Sequence, residues 1–427
     1  MVKITPFDVE QWMDEYENTP GVLNVAETCC SSISIDELAQ FDERRQVHDN
    51  GEGRQRGTGT SPLDLSTILT YGPIRGSEEL RSHIAHMYQN GAQRSANAIT
   101  EEQSGAQGSP DPVPKEQVLI TQGAISANYL VFYTLVGPGD HVICVFPTYQ
   151  QLYAVPESLG AEVSLWELKG ADGWIPDVGK LEALIKDNTK MIVINNPNNP
   201  TGATIPGDIL ASIVKVARKN DIILFSDEVY RPLFHDAAAK SAPPSVATMG
   251  YEKAVVTSSL SKAWALAGIR VGWITSPSCD LIEQLAAARD YITISVSQLD
   301  DQVARYALHP SVRPGLLSRN LGLAARNLVS LSQFVERHGD KVSWVKPTAG
   351  TTAFIWFGGG GGEAVDDVQF CRDVLAKTKV MLVPGSKCFG HGKTFKGYVR
   401  VGYVCETAVL EEALKRLDGY IQEHQAV

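Results

Sequence analysis

No apolar run in the 427-residue chain approaches the roughly 20 residues that a membrane-crossing helix needs. The opening stretch, MVKITPFDVEQWMDEYENTP, has no apolar core flanked by basic residues, so a secretory signal is not expected. C-x-x-C does not occur, and the seven cysteines are an odd count. A disulfide framework is therefore not expected. The thiols read as small apolar residues of a protein in a reducing, cytoplasmic compartment. A reactive thiol at the adjacent pair Cys29 and Cys30 is the alternative. Positive charge is scarce, with 38 Lys and Arg against 49 Asp and Glu, a net charge of -11. That argues against nucleic acid or an anionic membrane as the main partner, though not against a local cationic pocket. His83 and His86 are three apart on a helical pattern, but no further ligand cluster accompanies them, so no metal is expected. No internal repeat is present.

What the chain does have is a hydrophobic content of 43%, enough for a sizeable core. QVLIT (117–121), HVICVF (141–146), MIVIN (191–195), DIILFSD (221–227), AVVTSSL (254–260) and VGWITS (271–276) read as strands. Several are apolar at consecutive positions, which fits strands buried on both faces of a mainly parallel sheet. Helical segments at 124–136 and 206–219 lie between them, giving an α/β domain. After about residue 285 long helical patterns lead into AFIWF, VMLVPG and GYVRVGY, read as three short strands of a smaller α+β domain. The expected division is an N-terminal segment, 1–60, packing with the small domain; a large domain, 61–290; and a small domain, 291–427. The stretch 89–114, rich in Gly, Ser, Pro and Gln, reads as a mobile insertion. GGGGG at 358–362 reads as a flexible turn, since no lysine or helix start follows it.

The stretch SSLSKAWALAGIRVGW, Ser258 to Trp273, holds a lone lysine, Lys262, with no acidic residue inside the stretch. Burial lowers a lysine's pKa, and a neutral amine is a nucleophile toward carbonyls. A surface lysine at a junction is the bland reading. Other strand ends change the balance. Asp227 ends a buried strand, where α/β sheets bind ligands, although Asp is also a good helix cap. VINNPNNPTG (193–202) is a tight turn whose Asn side chains can donate to a ligand oxygen. LITQGAISANYL passes from strand to helix at Gly123, and the N–H groups of a helix start favour an anion. Arg270 can add a bidentate contact to the same anion. One ligand satisfies an amine, a carboxylate, an asparagine and an anion cradle together: pyridoxal 5′-phosphate. On this reading the lysine's partner is an aldehyde and not a carboxylate.

With S-L-S-K followed eight residues on by the arginine of G-I-R-V-G-W, and with N-N-P-N-N-P-T-G and D-E-V-Y upstream, the chain resembles the class I/II aminotransferases. These are fold-type I pyridoxal-phosphate enzymes, and the resemblance runs from about residue 65 to 415. It implies that Lys262 holds the cofactor as a Schiff base and then shuttles the proton. It implies that Asp227 pairs with the pyridine nitrogen, and that Asn199 and Tyr230 bond the ring hydroxyl. Gly123, Ala124, Ile125, Ser259 and Arg270 are the implied phosphate site, and Tyr149 stacks on the ring. Tyr71 reaches the phosphate of a neighbouring subunit, which implies a homodimer with shared sites. Arg400 clamps the substrate α-carboxylate, a role that suits its planar fork; a surface arginine on a strand is the alternative.

The sequence departs from the family where relatives carry a G-x-P turn; here it reads LNVAETCCSSISIDEL. Ile125 stands where relatives often have Gln. The N-terminal layout, RDYITISVS and VPGSKCFG are similar to capreomycidine synthases. The expected function is amino transfer from an α-amino acid to a 2-oxo acid. The alternative is elimination, replacement or cyclisation on the same scaffold. A non-enzymatic regulator is disfavoured because no basic DNA-binding segment is present. No second arginine for a dicarboxylic substrate stands out.

Overall fold

The computed structural model describes residues 4–46, 61–88, 113–235, 242–358 and 362–423. The expected insertion at 89–114 lies outside them except for Val113 and Pro114, and so does the middle of the pentaglycine turn. Among the described residues no helix is long and apolar enough to cross a membrane.

A short strand near the N-terminus, β1 (Leu23–Asn24), precedes the main sheet. That sheet contains β2 (Val118–Thr121), β3 (His141–Phe146), β4 (Glu162–Glu167), β5 (Thr189–Asn195), β6 (Ile223–Asp227), β7 (Ala254–Ser259) and β8 (Gly272–Thr275). The spatial order is β2-β8-β7-β6-β5-β3-β4. Only β8 runs antiparallel to its neighbours, β2 and β7. Every residue of β2, β3, β6, β7 and β8 is buried, as consecutive apolar positions predict for strands covered on both faces. Helices cover them. Gly207–Lys219 buries Leu210, Ile213, Val214 and Ala217, one stripe at helical spacing, and ends in Arg218 and Lys219, which suit the negative end of its dipole. Strand β4 was not expected. It is an edge strand, and its sequence EVSLWE is too polar to read as a buried run.

A second sheet joins β9 (Val342–Trp344), β10 (Thr352–Phe357), β12 (Val383–Pro384) and β13 (Tyr398–Gly402) in the order β12-β13-β10-β9. VMLVPG is not one strand as expected. Its first half, β11 (Val380–Met381), pairs in parallel with β1, and its second half joins β13. Leu382 separates the two, its carbonyl accepting from Trp12 Nε1 at 2.8 Å.

From β1 the chain runs between the two sheets. Gly402 N donates to Val25 O at 2.8 Å, Thr351 Oγ1 donates to Thr28 O at 2.6 Å, and Cys30 N donates to Lys262 O at 3.1 Å. This approach requires a glycine at 402, because a Cβ there would stand 1.7 Å from Glu27 O. Gly402→Ala is expected to cost about 1–3 kcal/mol by overpacking. The cost should show as a lower urea midpoint at unchanged slope. A midpoint equal to the parent's would contradict this close approach.

Candidate active site

Because β8 is the antiparallel strand, the carboxyl ends of β2, β3, β5, β6 and β7 all lie at one edge of the sheet. Crevices at such edges are where open α/β sheets bind ligands. A cleft of about 320 Å³ opens there. Of the residues expected at the site, Ala124, Ile125, Tyr149, Asn199, Asp227, Tyr230, Ser259, Lys262, Arg270 and Arg400 line it. Gly123 lies just behind, against Arg270. Tyr71 does not reach the cleft of its own chain and is 76% exposed.

Asp227, at the end of β6, is buried. Its Oδ2 accepts from Asn128 Nδ2 at 2.9 Å and its Oδ1 from Val229 N at 3.1 Å. Burial pushes its pKa up to about 6 despite these donors. A carboxylate in this state gains from a cationic N–H placed opposite it. Asn128 is itself fixed by Thr257 Oγ1, which donates to Asn128 Oδ1 at 2.6 Å. The sequence reading missed Asn128. An amide side chain in the largely apolar helix Gly123–Leu135, one turn beyond Ala124, was the available signal.

Lys262 lies in the connection from β7 to β8. Contrary to expectation, a carboxylate is near it. Nζ is 3.6 Å from Glu27 Oε1, and it donates to Thr28 Oγ1 at 2.6 Å and to Cys29 Sγ at 3.5 Å. The expected fall in its pKa is also overturned. Burial works against the charge, but the groups around it, of which the Glu27 carboxylate is the one charged near neutrality, hold the pKa above the ordinary lysine value. Burial pushes the Cys29 thiol up to about 11, so that thiol is uncharged near neutrality, and Glu27 is the anion that holds the ammonium. Despite its own burial cost, Glu27 is lowered to about 2 by Lys262 and the Thr28 backbone N–H. These three residues stand where the sequence departs from the family pattern, and of them only Cys29 was weighed there, as a reactive thiol. Cys30 is buried and its pKa raised by burial, so neither thiol is poised as a thiolate.

The anion cradle is built around Gly123 and Arg270. Gly123 has φ +76, and a Cβ on it would stand 2.7 Å from Arg270 Nη2. Arg270 adopts the left-handed region at φ 52, a strained choice for a side-chain-bearing residue, of the kind that collects at functional sites. Its Nη1 donates to Ala267 O at 2.9 Å and to Ser261 Oγ at 3.3 Å. The first N–H groups of the helix Gly123–Leu135 face the same place with no partner within the helix.

Arg400, central in β13, is 3% exposed. Its Nη2 donates to Ala26 O at 2.8 Å and its Nη1 to Asn199 Oδ1 at 3.3 Å, while Nε, though buried, has no partner among the described residues. Tyr230 is buried, and burial raises its pKa, so it remains a phenol able to donate. Tyr149 donates to Glu10 Oε1 at 2.7 Å and packs on Phe7. His83 and His86 turn to the carbonyls of Arg305 and Ser82, away from this site.

The donor set fits pyridoxal 5′-phosphate on three observations. A buried carboxylate is held near pKa 6, with no cation bonded to it among the described residues. A cradle exists that a Cβ at 123 would fill. A lysine amine opens onto the same cleft.

A family model described as aminotransferase class I and II matches residues 55–417. Capreomycidine synthase of Streptomyces vinaceus is 28% identical over 366 residues, 86% of this chain and 84% of its own. Aspartate aminotransferase of Pyrococcus horikoshii is 29% identical over 307 residues, 71% and 75% of the two chains. A solved PLP-dependent aminotransferase from Streptococcus suis is similar with a TM-score of 0.82 at 33% identity, over 99% of this chain and 98% of that one.

Proposed function

Because the chain belongs to the class I and II aminotransferases, we propose that it moves the amino group of an α-amino acid to a 2-oxo acid. Its cofactor is pyridoxal 5′-phosphate. When bound, this cofactor supplies an aldehyde for the substrate amine and an electron-poor ring that stabilises negative charge at the α-carbon. The observation that carries the reading is the single cleft holding Lys262, Asp227, Arg270 and Arg400 together.

The residues divide the work. Lys262 carries the cofactor, and its freed Nζ takes the proton from the α-carbon and returns it elsewhere. Asp227 keeps a proton on the ring nitrogen, and Asn128 holds Asp227 in place. Asn199 and Tyr230 would bond the ring hydroxyl, and Tyr149 would pack on the ring. Gly123, Ala124, Ile125, Ser259, Ser261 and Arg270 hold the phosphate by N–H groups and charge. Arg400 turns its guanidinium to the substrate α-carboxylate. We read the chain as an N-terminal segment, 1–60, a large domain, 61–290, and a small domain, 291–427. We place it in the cytoplasm, a reading supported by its seven free cysteines.

A second reading, elimination or cyclisation, is favoured by Glu27-Thr28-Cys29 at the lysine and by the similarity to capreomycidine synthase. Holoenzyme incubated with an amino acid and no acceptor decides between them. Amino transfer converts the cofactor to its amine form with one equivalent of 2-oxo acid. Ammonia or a cyclised product with the cofactor unchanged would overturn the first reading.

We further propose a homodimer in which Tyr71 completes the partner's phosphate site. Support comes from the exposed apolar residues around it, among them Leu65 at 91%, Ile68 at 81% and Leu69 at 73%. Tyr71→Ala is expected to weaken cofactor binding by about 1.5–3 kcal/mol, the worth of a hydrogen bond to a charged group. A mixed dimer of Tyr71→Ala and Lys262→Ala chains then contains one complete site and regains activity that neither parent variant has in full. No recovery on mixing would sink the shared site.

A further inference from the structure

The charged side chains lining the cleft are Glu10, Glu27, Asp227, Lys262, Arg270 and Arg400. Under the proposed function, on which this inference rests, four of them have tasks. Lys262 meets the aldehyde, Asp227 the ring nitrogen, Arg270 the phosphate and Arg400 the α-carboxylate. Glu10 and Glu27 have none. Both are anions on the wall contributed by the N-terminal segment. Glu27 is fixed in place, with Oε1 accepting from Thr28 N at 2.6 Å and from Cys29 N at 3.2 Å. Its ion-pair partner is Lys262 Nζ at 3.6 Å. While that amine is bound to the cofactor, or is freed in the neutral form that takes the α-carbon proton, Glu27 faces the cleft without an ammonium as its partner. Glu10 is fixed by the Tyr149 hydroxyl at 2.7 Å.

A second observation points to a ligand in the same part of the cleft. Arg400, 3% exposed, has a buried Nε with no hydrogen-bond partner, and its Nη2 is bonded to the carbonyl of Ala26, the residue before Glu27. A cation for a carboxylate and two anions with no assigned counterpart thus stand together. A substrate with a second carboxylate would meet Glu27 and Glu10 as like charges, whereas a cationic side chain would be matched by them. We propose that Glu27, assisted by Glu10, selects an α-amino acid whose side chain ends in an amine or a guanidine.

The test is a titration of the holoenzyme's visible cofactor band, without acceptor, comparing L-arginine with L-citrulline and L-ornithine with L-norleucine. Each neutral partner keeps the α-amine and lacks the side-chain cation. The cationic member of each pair is expected to saturate at about ten- to a hundredfold lower concentration, the worth of a hydrogen bond to a charged partner. Because Glu27 also touches Lys262, the readout in the variants is the ratio within a pair. Glu27→Gln keeps an acceptor for the backbone donors and is expected to bring that ratio close to one; Glu10→Gln should reduce it less. Neutral or acidic amino acids saturating as tightly as the cations would overturn the inference and leave amino transfer standing. So would a ratio that neither variant changes. A band unmoved by every amino acid, L-alanine included, would overturn the amino-transfer reading and this inference with it.

Discussion

Lys262→Ala is expected to lose the visible absorbance of lysine-bound cofactor and to lower turnover by at least about 10²–10⁴-fold, the usual worth of a positioned acid–base group. The effect should exceed that of any other single substitution, because the role proposed for this residue is both to carry the cofactor and to move the proton. The structure gives the amine a defined resting place: Thr28 Oγ1 at 2.6 Å, Cys29 Sγ at 3.5 Å and Glu27 at 3.6 Å. Glu27 holds the proton on the resting amine, so binding of the cofactor must release it. The cradle at Gly123 and Arg270 does not depend on Lys262, and the variant should therefore still take up free cofactor by its phosphate. Loss of the band with retained weak binding is the expected pair of results. A variant that keeps the band would remove Lys262 from its role.

Arg400→Ala is expected to raise KM for amino acids and to lower kcat/KM by about 2–5 kcal/mol, the cost of truncating one partner of a buried hydrogen-bonded charge pair. Cofactor affinity should change much less. Arg400 is anchored on β13 against β10 and β12, with its guanidinium over the Phe389 ring at 5.3 Å. Among the described residues no carboxylate makes an ion pair with it, so its charge is free for the substrate. Arg400→Lys keeps charge but loses the planar fork, and an intermediate loss is expected. An unchanged KM in Arg400→Ala would leave the α-carboxylate without its clamp.

How much of this was legible in the sequence follows from where each signal is stored. The buried strands are local: HVICVF forms β3 over the same residues, and DIILFSD brings Asp227 to the end of β6. Strand ends in a mainly parallel sheet converge, which is why residues far apart in number line one cleft. What could not be read locally was the return of the N-terminal segment. Lys262 and Thr28 are 234 positions apart, and the polar residues near position 27 have no periodicity that names their partner. The expectation of a lysine without a carboxylate failed for that reason: Ser258–Trp273 contains no acid, but the fold delivers one. VMLVPG was read as one strand because its apolar run is continuous. The split follows from pairing with β1, a two-residue strand that no pattern announces. Asn128 was hidden differently, as one of a few polar residues, with Ser126 and Thr134, inside a largely apolar helix.

The account's central claim is that Lys262 is the residue on which the cofactor is carried in this cleft. Borohydride reduction of the holoenzyme, followed by proteolysis and mass mapping, tests it directly. The expected result is one reduced cofactor per chain, located on Lys262 in the peptide that spans Ser258–Trp273. A label on any other lysine, or an unlabelled Lys262 after the visible band has bleached, would contradict it.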